Sequence, residues 1–160
     1  MFGDGSHPTT RLCAGAVAAL CRERHPDAVL DLGTGTGLLA RIARALGAGF
    51  VVGTDIEPDA LEMAAANARL DAHPVVIHFG TEAPDHWGAR FALVAANILE
   101  APLTMLAPAV ARALRPGGVA LLSGFTPVQA PRLRVHYESL GLRFLREASL
   151  EGWVLLMMER

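Results

Sequence analysis

One glycine-rich turn constrains the fold of this chain more than any other feature. Residues 29–37 read Val-Leu-Asp-Leu-Gly-Thr-Gly-Thr-Gly, which predicts a buried strand, a tight turn and the start of a helix. A second apolar run follows that helix and ends at Asp55, 22 residues after Gly33. A carboxylate at the end of the neighbouring strand can accept hydrogen bonds from a ribose diol. The pattern therefore predicts a pocket for a cofactor that carries adenosine, and it leaves the identity of that cofactor open.

Strands and helices alternate along the 160 residues, a length typical of one domain. Apolar periodicity predicts helices over residues 10–24, 38–46, 58–70, 103–114 and 129–140, and strands over residues 28–32, 50–55, 75–79, 91–97, 119–123, 142–147 and 153–159. The first five strands are apolar runs, which favours a parallel sheet with helices on both faces. We therefore expect a single α/β domain over residues 1–160, with a doubly wound, Rossmann-like, seven-stranded sheet. Its last two strands form a hairpin that adds an antiparallel strand at one edge.

Several residues have a local structural interpretation. Thr9 is predicted to cap the first helix, and Pro108 either kinks the fourth helix or marks its start. Residues 115–118, Arg-Pro-Gly-Gly, predict a stop and a tight turn before the fifth strand. His7 is assigned to fixing its loop rather than to acid–base catalysis, and Trp153 to packing.

The composition excludes several classes of function. The formal net charge of −2 provides no basic field for tight binding to nucleic acid. No apolar run reaches the roughly 18 residues of a membrane-spanning helix, and the first residues do not resemble a secretion signal. The histidines are scattered without metal-ligand spacing, so no metal is expected. Cys13 and Cys21 lie about 12 Å apart along one predicted helix, too far for a disulfide, and fit reduced thiols in a cytoplasmic protein.

The glycine turn by itself fits two kinds of cofactor. Residues 35–40 read Gly-Thr-Gly-Leu-Leu-Ala, which fits the G-x-G-x-x-A pattern of dinucleotide-binding proteins. Asp31, at the end of the first strand, would repel the pyrophosphate of a dinucleotide but would suit a cationic amino or sulfonium group. A nicotinamide enzyme also usually needs a separate substrate domain, for which this chain has no room. The spacing D-x-G-x-G-x-G followed by an acid resembles that of the S-adenosylmethionine-dependent methyltransferases with a seven-stranded sheet.

Four further segments resemble one family of these enzymes. Residues 2–10 read Phe-Gly-Asp-Gly-Ser-His-Pro-Thr-Thr, and residues 95–103 read Ala-Ala-Asn-Ile-Leu-Glu-Ala-Pro-Leu. With Leu-Ser-Gly-Phe at 122–125 and Glu-Gly-Trp at 151–153, they resemble the ribosomal protein L11 methyltransferase (PrmA) family over essentially the whole chain. The resemblance implies the class I methyltransferase fold and S-adenosylmethionine as the cofactor. It also implies methyl transfer to protein amines, either lysine side chains or an α-amino group.

The resemblance assigns roles to individual residues. Thr10 matches a contact to S-adenosylmethionine, and Asp55 matches the acid that binds the ribose. Asn97 matches the asparagine beside the transferred methyl group, and we expect it to act in catalysis by orienting the attacking amine. Together with the turn and its neighbouring acid, the predicted cofactor-binding residues are Thr10, Asp31, Gly33, Gly35, Gly37, Asp55 and Asn97.

Departures from the family leave the acceptor open. Family members have a separate N-terminal domain that recruits the ribosomal protein, whereas this chain starts at the Phe-Gly-x-Gly segment. The interval between Thr10 and Gly33 is slightly longer than in the family, and Glu100 stands where a small residue is common. A protein substrate, such as a ribosomal protein, is the favoured interpretation. The alternatives are a methyltransferase of the same fold that acts on a small molecule or another protein, a nicotinamide-binding oxidoreductase module, and a non-catalytic sensor of the cofactor.

Overall fold

The computed structural model describes residues 5–71 and 77–160. The helices are α1 (Pro8–Arg24), α2 (Leu38–Ala45), α3 (Pro58–Arg69), α4 (Glu100–Ala113) and α5 (Ala130–Ser139). The strands are β1 (Ala28–Leu32), β2 (Phe50–Thr54), β3 (His78–Gly80), β4 (Phe91–Asn97), β5 (Leu114–Phe125), β6 (Arg143–Leu150) and β7 (Trp153–Glu159). A short 3-10 helix, Pro84–Trp87, lies between β3 and β4. No helix within the two described ranges is long and apolar enough to cross a membrane.

The seven strands form one sheet in the order β3-β2-β1-β4-β5-β7-β6. Strands β1 to β5 run parallel to one another, and β7 is antiparallel to both β5 and β6. The predicted α/β class, with a mostly parallel, doubly wound sheet and a C-terminal hairpin, is therefore confirmed. From β1 the chain builds the sheet first through β2 to β3 and then, in the opposite direction, from β4 onwards, so the winding direction switches between β1 and β4.

The predicted C-terminal hairpin lies at one edge of the sheet, and the structure shows which of its two strands is outermost. The antiparallel strand β7 lies between β5 and β6, and β6 is the edge strand. Residues 154–158 of β7 are all buried, whereas β6 consists of exposed and half-buried residues. An apolar strand is stable with neighbours on both sides, and a polar strand tolerates the edge. Glu151 and Gly152 have positive φ angles of 51° and 81°, as the tight turn of a two-residue hairpin requires.

Both faces of the sheet are buried beneath helices. In β1, Val29 belongs to the core beneath α1 and α2, and Leu30 belongs to the core beneath α4 and α5. This alternation follows from the two-residue period of a strand. Cys13 and Cys21 are both buried in the core beneath α1, as predicted for thiols on an apolar helix face.

The start of α1 differs from the prediction. The helix begins at Pro8, and its N-cap is His7 rather than Thr9. The Nδ1 atom of His7 accepts a hydrogen bond from the backbone N–H of Thr9 at 3.3 Å. Pro8 at the first helical position lacks an N–H and therefore needs no partner there. A histidine is an uncommon cap, so the usual preference for threonine led to the wrong residue.

Pro108 lies inside α4, which begins at Glu100 and not at Leu103. A proline cannot donate the hydrogen bond that the carbonyl of Thr104 would receive from residue 108. In the folded chain, Nε2 of His136 on α5 lies 3.2 Å from that carbonyl. The contact between α4 and α5 thus compensates for the proline, which sequence periodicity could not reveal.

Two strand boundaries also differ. Residues 115–118 belong to β5 rather than to a separate turn, because the backbone of Arg160 pairs with Gly117 and Gly118. The third strand, predicted over residues 75–79, is observed at His78–Gly80, and residues 72–76 lie outside the described part of the chain.

The carboxyl ends of four parallel strands lie side by side at one edge of the sheet. Leu32 at the end of β1 pairs with Thr54 on one side and with Ala96 on the other. Asn97 at the end of β4 pairs with Ser123 of β5. The glycine turn, the acid after β2 and Asn97 therefore meet at the edge where ligands bind in doubly wound sheets.

Candidate functional site

A cavity of about 590 Å³ lies at this edge of the sheet. Its walls are formed by the glycine turn, the ends of β2 and β4, the start of α1 and the first residue of β7. Its volume is in the range of pockets that hold small-molecule ligands. The structure brings most of the predicted site residues to this cavity, namely Thr10, Asp31, Gly33, Gly35, Asp55 and Asn97.

The glycine turn depends on backbone angles that favour glycine. Gly33, Gly35 and Gly37 have φ angles of 71°, 52° and 79°, in the left-handed region. A Cβ on Gly33 would also stand 2.2 Å from the Cγ2 atom of Ile98. The absence of a side chain at Gly33 therefore lets the loop after β4 approach the turn after β1.

Gly37 is not among the lining residues of the cavity. A Cβ on Gly37 would stand 3.0 Å from the Cβ atom of Ala64 on α3. The position of this glycine thus supports the close packing of α2 against α3. The spacing of the sequence motif did not distinguish this packing role from a contact with the ligand.

Asp55 connects the end of β2 to the glycine turn. Its Oδ2 atom accepts a hydrogen bond from the N–H of Gly35 at 2.9 Å, and Oδ1 accepts one from the N–H of Glu57 at 3.1 Å. An ionised carboxylate has about four acceptor sites. These two backbone bonds therefore orient Asp55 and leave it capacity to accept bonds from a ribose diol.

Asp31 lies at the base of the cavity with only 1% of its surface exposed. Its Oδ2 atom accepts hydrogen bonds from Oγ1 of Thr34 at 2.7 Å and from the N–H of Ala40 at 3.1 Å. Burial raises the pKa of this carboxyl from 3.8 to about 6, against the opposing effect of those bonds, and the charge of Asp55 adds to the rise. At neutral pH the group is therefore mainly ionised, and a nearby cation would stabilise it.

Asn97 and Thr10 bring together two distant parts of the chain. The Nδ2 atom of Asn97, at the end of β4, donates to Oγ1 of Thr10 at 3.4 Å. Thr10, in the first turn of α1, is 4% exposed. Because the amide nitrogen faces Thr10, the side-chain oxygen of Asn97 remains the acceptor for another group.

Some residues of the cavity had no distinct signal in the sequence. Trp153, predicted only to pack, lines the cavity and lies edge-on against the ring of His7, with centroids 5.0 Å apart. Thr54 also lines the cavity, and its buried Oγ1 has no hydrogen-bond partner among the described residues. Only its position at the end of β2, directly before Asp55, indicated that Thr54 could line the cavity.

Glu100 has the structural role that its position in the first turn of α4 suggests. It pairs with Arg132 at 2.5 Å, and its side chain is 12% exposed. It is not among the residues that line the cavity.

Sequence comparison relates the whole chain to one family. The model of the family described as "Ribosomal protein L11 methyltransferase (PrmA)" matches residues 1–160. A ribosomal protein L11 methyltransferase of Methylobacillus flagellatus is 41% identical over 162 residues, covering 99% of this chain and 52% of that protein. One from Thermus thermophilus is 44% identical over 161 residues, covering 99% of this chain and 61% of that protein. The chain spans about half the length of the curated relatives it matches.

Structural comparison agrees with the sequence comparison. The crystal structure of a ribosomal protein L11 methylase from Lactobacillus delbrueckii subsp. bulgaricus superposes with a TM-score of 0.81 and 29% sequence identity. The match covers 92% of this chain and 78% of that chain. The similarity therefore extends over most of the chain.

Proposed function

Because the chain belongs to the ribosomal protein L11 methyltransferase family, we propose that it binds S-adenosylmethionine in the edge cavity and methylates a protein amine. The observation that carries this proposal is the convergence of Asp31, Asp55 and Asn97 on one cavity. Two carboxylates there suit a cationic ligand with a ribose, and they disfavour the pyrophosphate of a dinucleotide.

The cavity fits this cofactor in size and in chemistry. Asp55, held by the N–H groups of Gly35 and Glu57, would bind the ribose. The buried carboxylate of Asp31 would favour the cationic part of the molecule, and Thr10 would contact it from α1. When bound, S-adenosylmethionine supplies a methyl group that its positive sulfonium has already activated, so the protein mainly has to align the acceptor with it.

The acceptor amine must lose its proton before it can attack. A lysine with a pKa of about 10.4 is neutral in roughly one molecule in a thousand at pH 7.5, a handicap of about 4 kcal/mol. Leu99, Pro102 and Leu106 line the cavity on the side of Asn97. An amine held against these apolar side chains would have a lowered pKa, because burial disfavours the charged form. Asn97 would then orient the neutral amine through its side-chain oxygen.

The favoured acceptor is ribosomal protein L11. This choice rests on the similarity to ribosomal protein L11 methyltransferases, together with the match of the whole chain to their family. A small-molecule amine is the alternative acceptor, since the cavity itself fits either. The two differ in what the enzyme recognises beyond the reacting nitrogen.

Labelled methyl transfer tests the proposal. The chain is incubated with tritiated S-adenosylmethionine and, in separate reactions, with ribosomal protein L11, with a lysate of the source organism and with free lysine. We expect label on lysine or α-amino nitrogens of the ribosomal protein, located by peptide mass spectrometry. Label only on a small molecule would support the alternative, and no label on any amine would refute the proposed activity.

Asn97→Ala tests the role of the asparagine in the same assay. We expect turnover to fall by about tenfold or more, as for the loss of a positioning hydrogen bond worth about 1.5 kcal/mol. The affinity for S-adenosylhomocysteine, measured by calorimetry, serves as the control for an intact cofactor site. Full turnover with unchanged affinity would show that Asn97 does not orient the amine.

A further inference from the structure

His7 occupies a position where the start of α1 meets the cavity. It is the N-cap of α1 and lines the cavity wall. Its Nδ1 atom accepts from the N–H of Thr9 at 3.3 Å and lies 2.8 Å from Oγ1 of the same residue. The carbonyl of His7 accepts the first helical bond, from the N–H of Arg11 at 3.1 Å. The first turn of α1 is therefore closed by both the ring and the backbone of this residue.

The same turn is attached to the C-terminal hairpin. The ring of His7 meets the ring of Trp153 edge-on, at a centroid distance of 5.0 Å and an interplanar angle of 66°. One residue beyond Thr10, Arg11 pairs with Glu151 in the hairpin turn at 3.1 Å. The ring of His7 thus joins the beginning of the helix to the beginning of β7.

The first turn also carries the contact to the proposed reaction centre. Thr10 is buried, and its Oγ1 accepts from Nδ2 of Asn97. At 3.4 Å this bond is long, so a small displacement of the turn would break it. Without a cap, the first N–H groups of a helix lose a partner and the turn frays. The placement of Asn97 therefore depends on what holds the first turn of α1.

We propose that His7 is a positioning residue for methyl transfer, which caps α1 and braces it against Trp153 so that Thr10 holds Asn97 in place. The proposal rests on the proposed function for its link to the reaction. That the ring of His7 determines the environment of the Asn97 side chain does not depend on the proposed function. Histidine combines a cap acceptor with an aromatic edge, whereas asparagine supplies the acceptor alone.

The chain offers a direct readout of this coupling. Asn67, Asn97 and Gln129 are its only side-chain amides, so a proton–nitrogen correlation spectrum contains three side-chain amide pairs. Asn67 donates to the carbonyl of Thr36 on the other side of the glycine turn, and Gln129 contacts Thr126. These two pairs serve as internal controls, because neither contacts α1 through a described hydrogen bond.

The test compares His7→Ala, His7→Asn and Ala18→Gly. The last variant weakens α1 to an extent comparable to the loss of a cap, because glycine is a poorer helix former than alanine, at a site about 12 Å along the helix from Thr10. In His7→Ala we expect the Asn97 pair to shift while the Asn67 and Gln129 pairs stay. We expect kcat to fall about tenfold with the acceptor KM within twofold. His7→Asn keeps the cap acceptor but lacks the ring that meets Trp153, so it should restore both signals in part. Ala18→Gly should change neither signal despite a similar loss of melting temperature.

Three results would overturn the positioning role. They are an unmoved Asn97 pair in His7→Ala, an equal loss of kcat in Ala18→Gly, and no recovery in His7→Asn. Failure of the proposed function would look different, since the unmodified chain would then transfer no methyl group. The response of the Asn97 pair would still decide whether His7 positions that side chain.

Discussion

Replacing Asp31 with asparagine separates the cost of a buried charge from its benefit to the ligand. Asp31 is 1% exposed, and burial raises its pKa from 3.8 to about 6. One pKa unit corresponds to about 1.4 kcal/mol, so ionised Asp31 costs the folded chain about 3 kcal/mol at neutral pH. Asparagine has nearly the same shape and keeps an oxygen that can accept from Thr34 and Ala40, but it carries no charge.

The pH dependence of the stability follows from the upward shift of the Asp31 pKa. Because the folded state binds the proton more tightly than the unfolded state, the stabilisation from this group is complete below pH 3.8 and is lost as the pH rises through about 6. Asp31→Asn cannot lose that stabilisation. We therefore expect its free energy of unfolding to exceed that of the unmodified chain by about 3 kcal/mol at pH 7.5 and by about half as much at pH 5.

The affinity of Asp31→Asn for the cofactor should fall, although its stability rises. Loss of one charge-assisted contact of about 1.5 kcal/mol would weaken S-adenosylmethionine about tenfold at pH 7.5. Urea unfolding at the two pH values and calorimetry measure both effects on the same pair of proteins. A less stable Asp31→Asn at pH 7.5, or a stability difference that is the same at both pH values, would refute the assignment of a destabilising buried charge.

Two further predictions concern the turn and the thiols. Gly33→Ala should unfold or fail to bind the cofactor, because its Cβ would lie 2.2 Å from Cγ2 of Ile98. Gly35→Ala has nothing within 4 Å of its Cβ and should lose only about 1–2 kcal/mol of stability, from the left-handed backbone. Equal melting temperatures for the two variants would contradict this expectation. Burial raises the pKa of the Cys13 thiol to about 12 and also raises that of Cys21, so neither should react with a maleimide at pH 7.5 until urea unfolds the chain. Rapid labelling of either thiol in the folded protein would show that α1 does not cover it.

Much of the fold follows from patterns within short stretches of sequence. The apolar run of β1 and the periodicity of α1 depend on neighbours a few residues away, so their presence was predictable. The meeting of Asp31, Asp55 and Asn97 was predictable as well, since the carboxyl ends of parallel strands share one edge. Each of these inferences needs the order of the elements but no side-chain contact.

What was not predictable depends on contacts between distant residues. The absence of a side chain at Gly33 matters because Ile98 approaches it, and Gly37 faces Ala64 on another helix. The order of β7 and β6 at the sheet edge, which the sequence left open, depends on the relative polarity of the two strands and not on either one alone. His7 caps α1 through the orientation of a ring, which residue preferences do not contain.

The most direct test of the central claim is a calorimetric titration of the chain with S-adenosylhomocysteine and, separately, with NAD. We expect S-adenosylhomocysteine to bind in one site and NAD to give no heat of binding. Asp55→Ala should weaken S-adenosylhomocysteine by about ten- to a hundredfold, as the loss of carboxylate bonds of about 1.5–3 kcal/mol requires. Tight binding of NAD with no signal from S-adenosylhomocysteine would contradict the account.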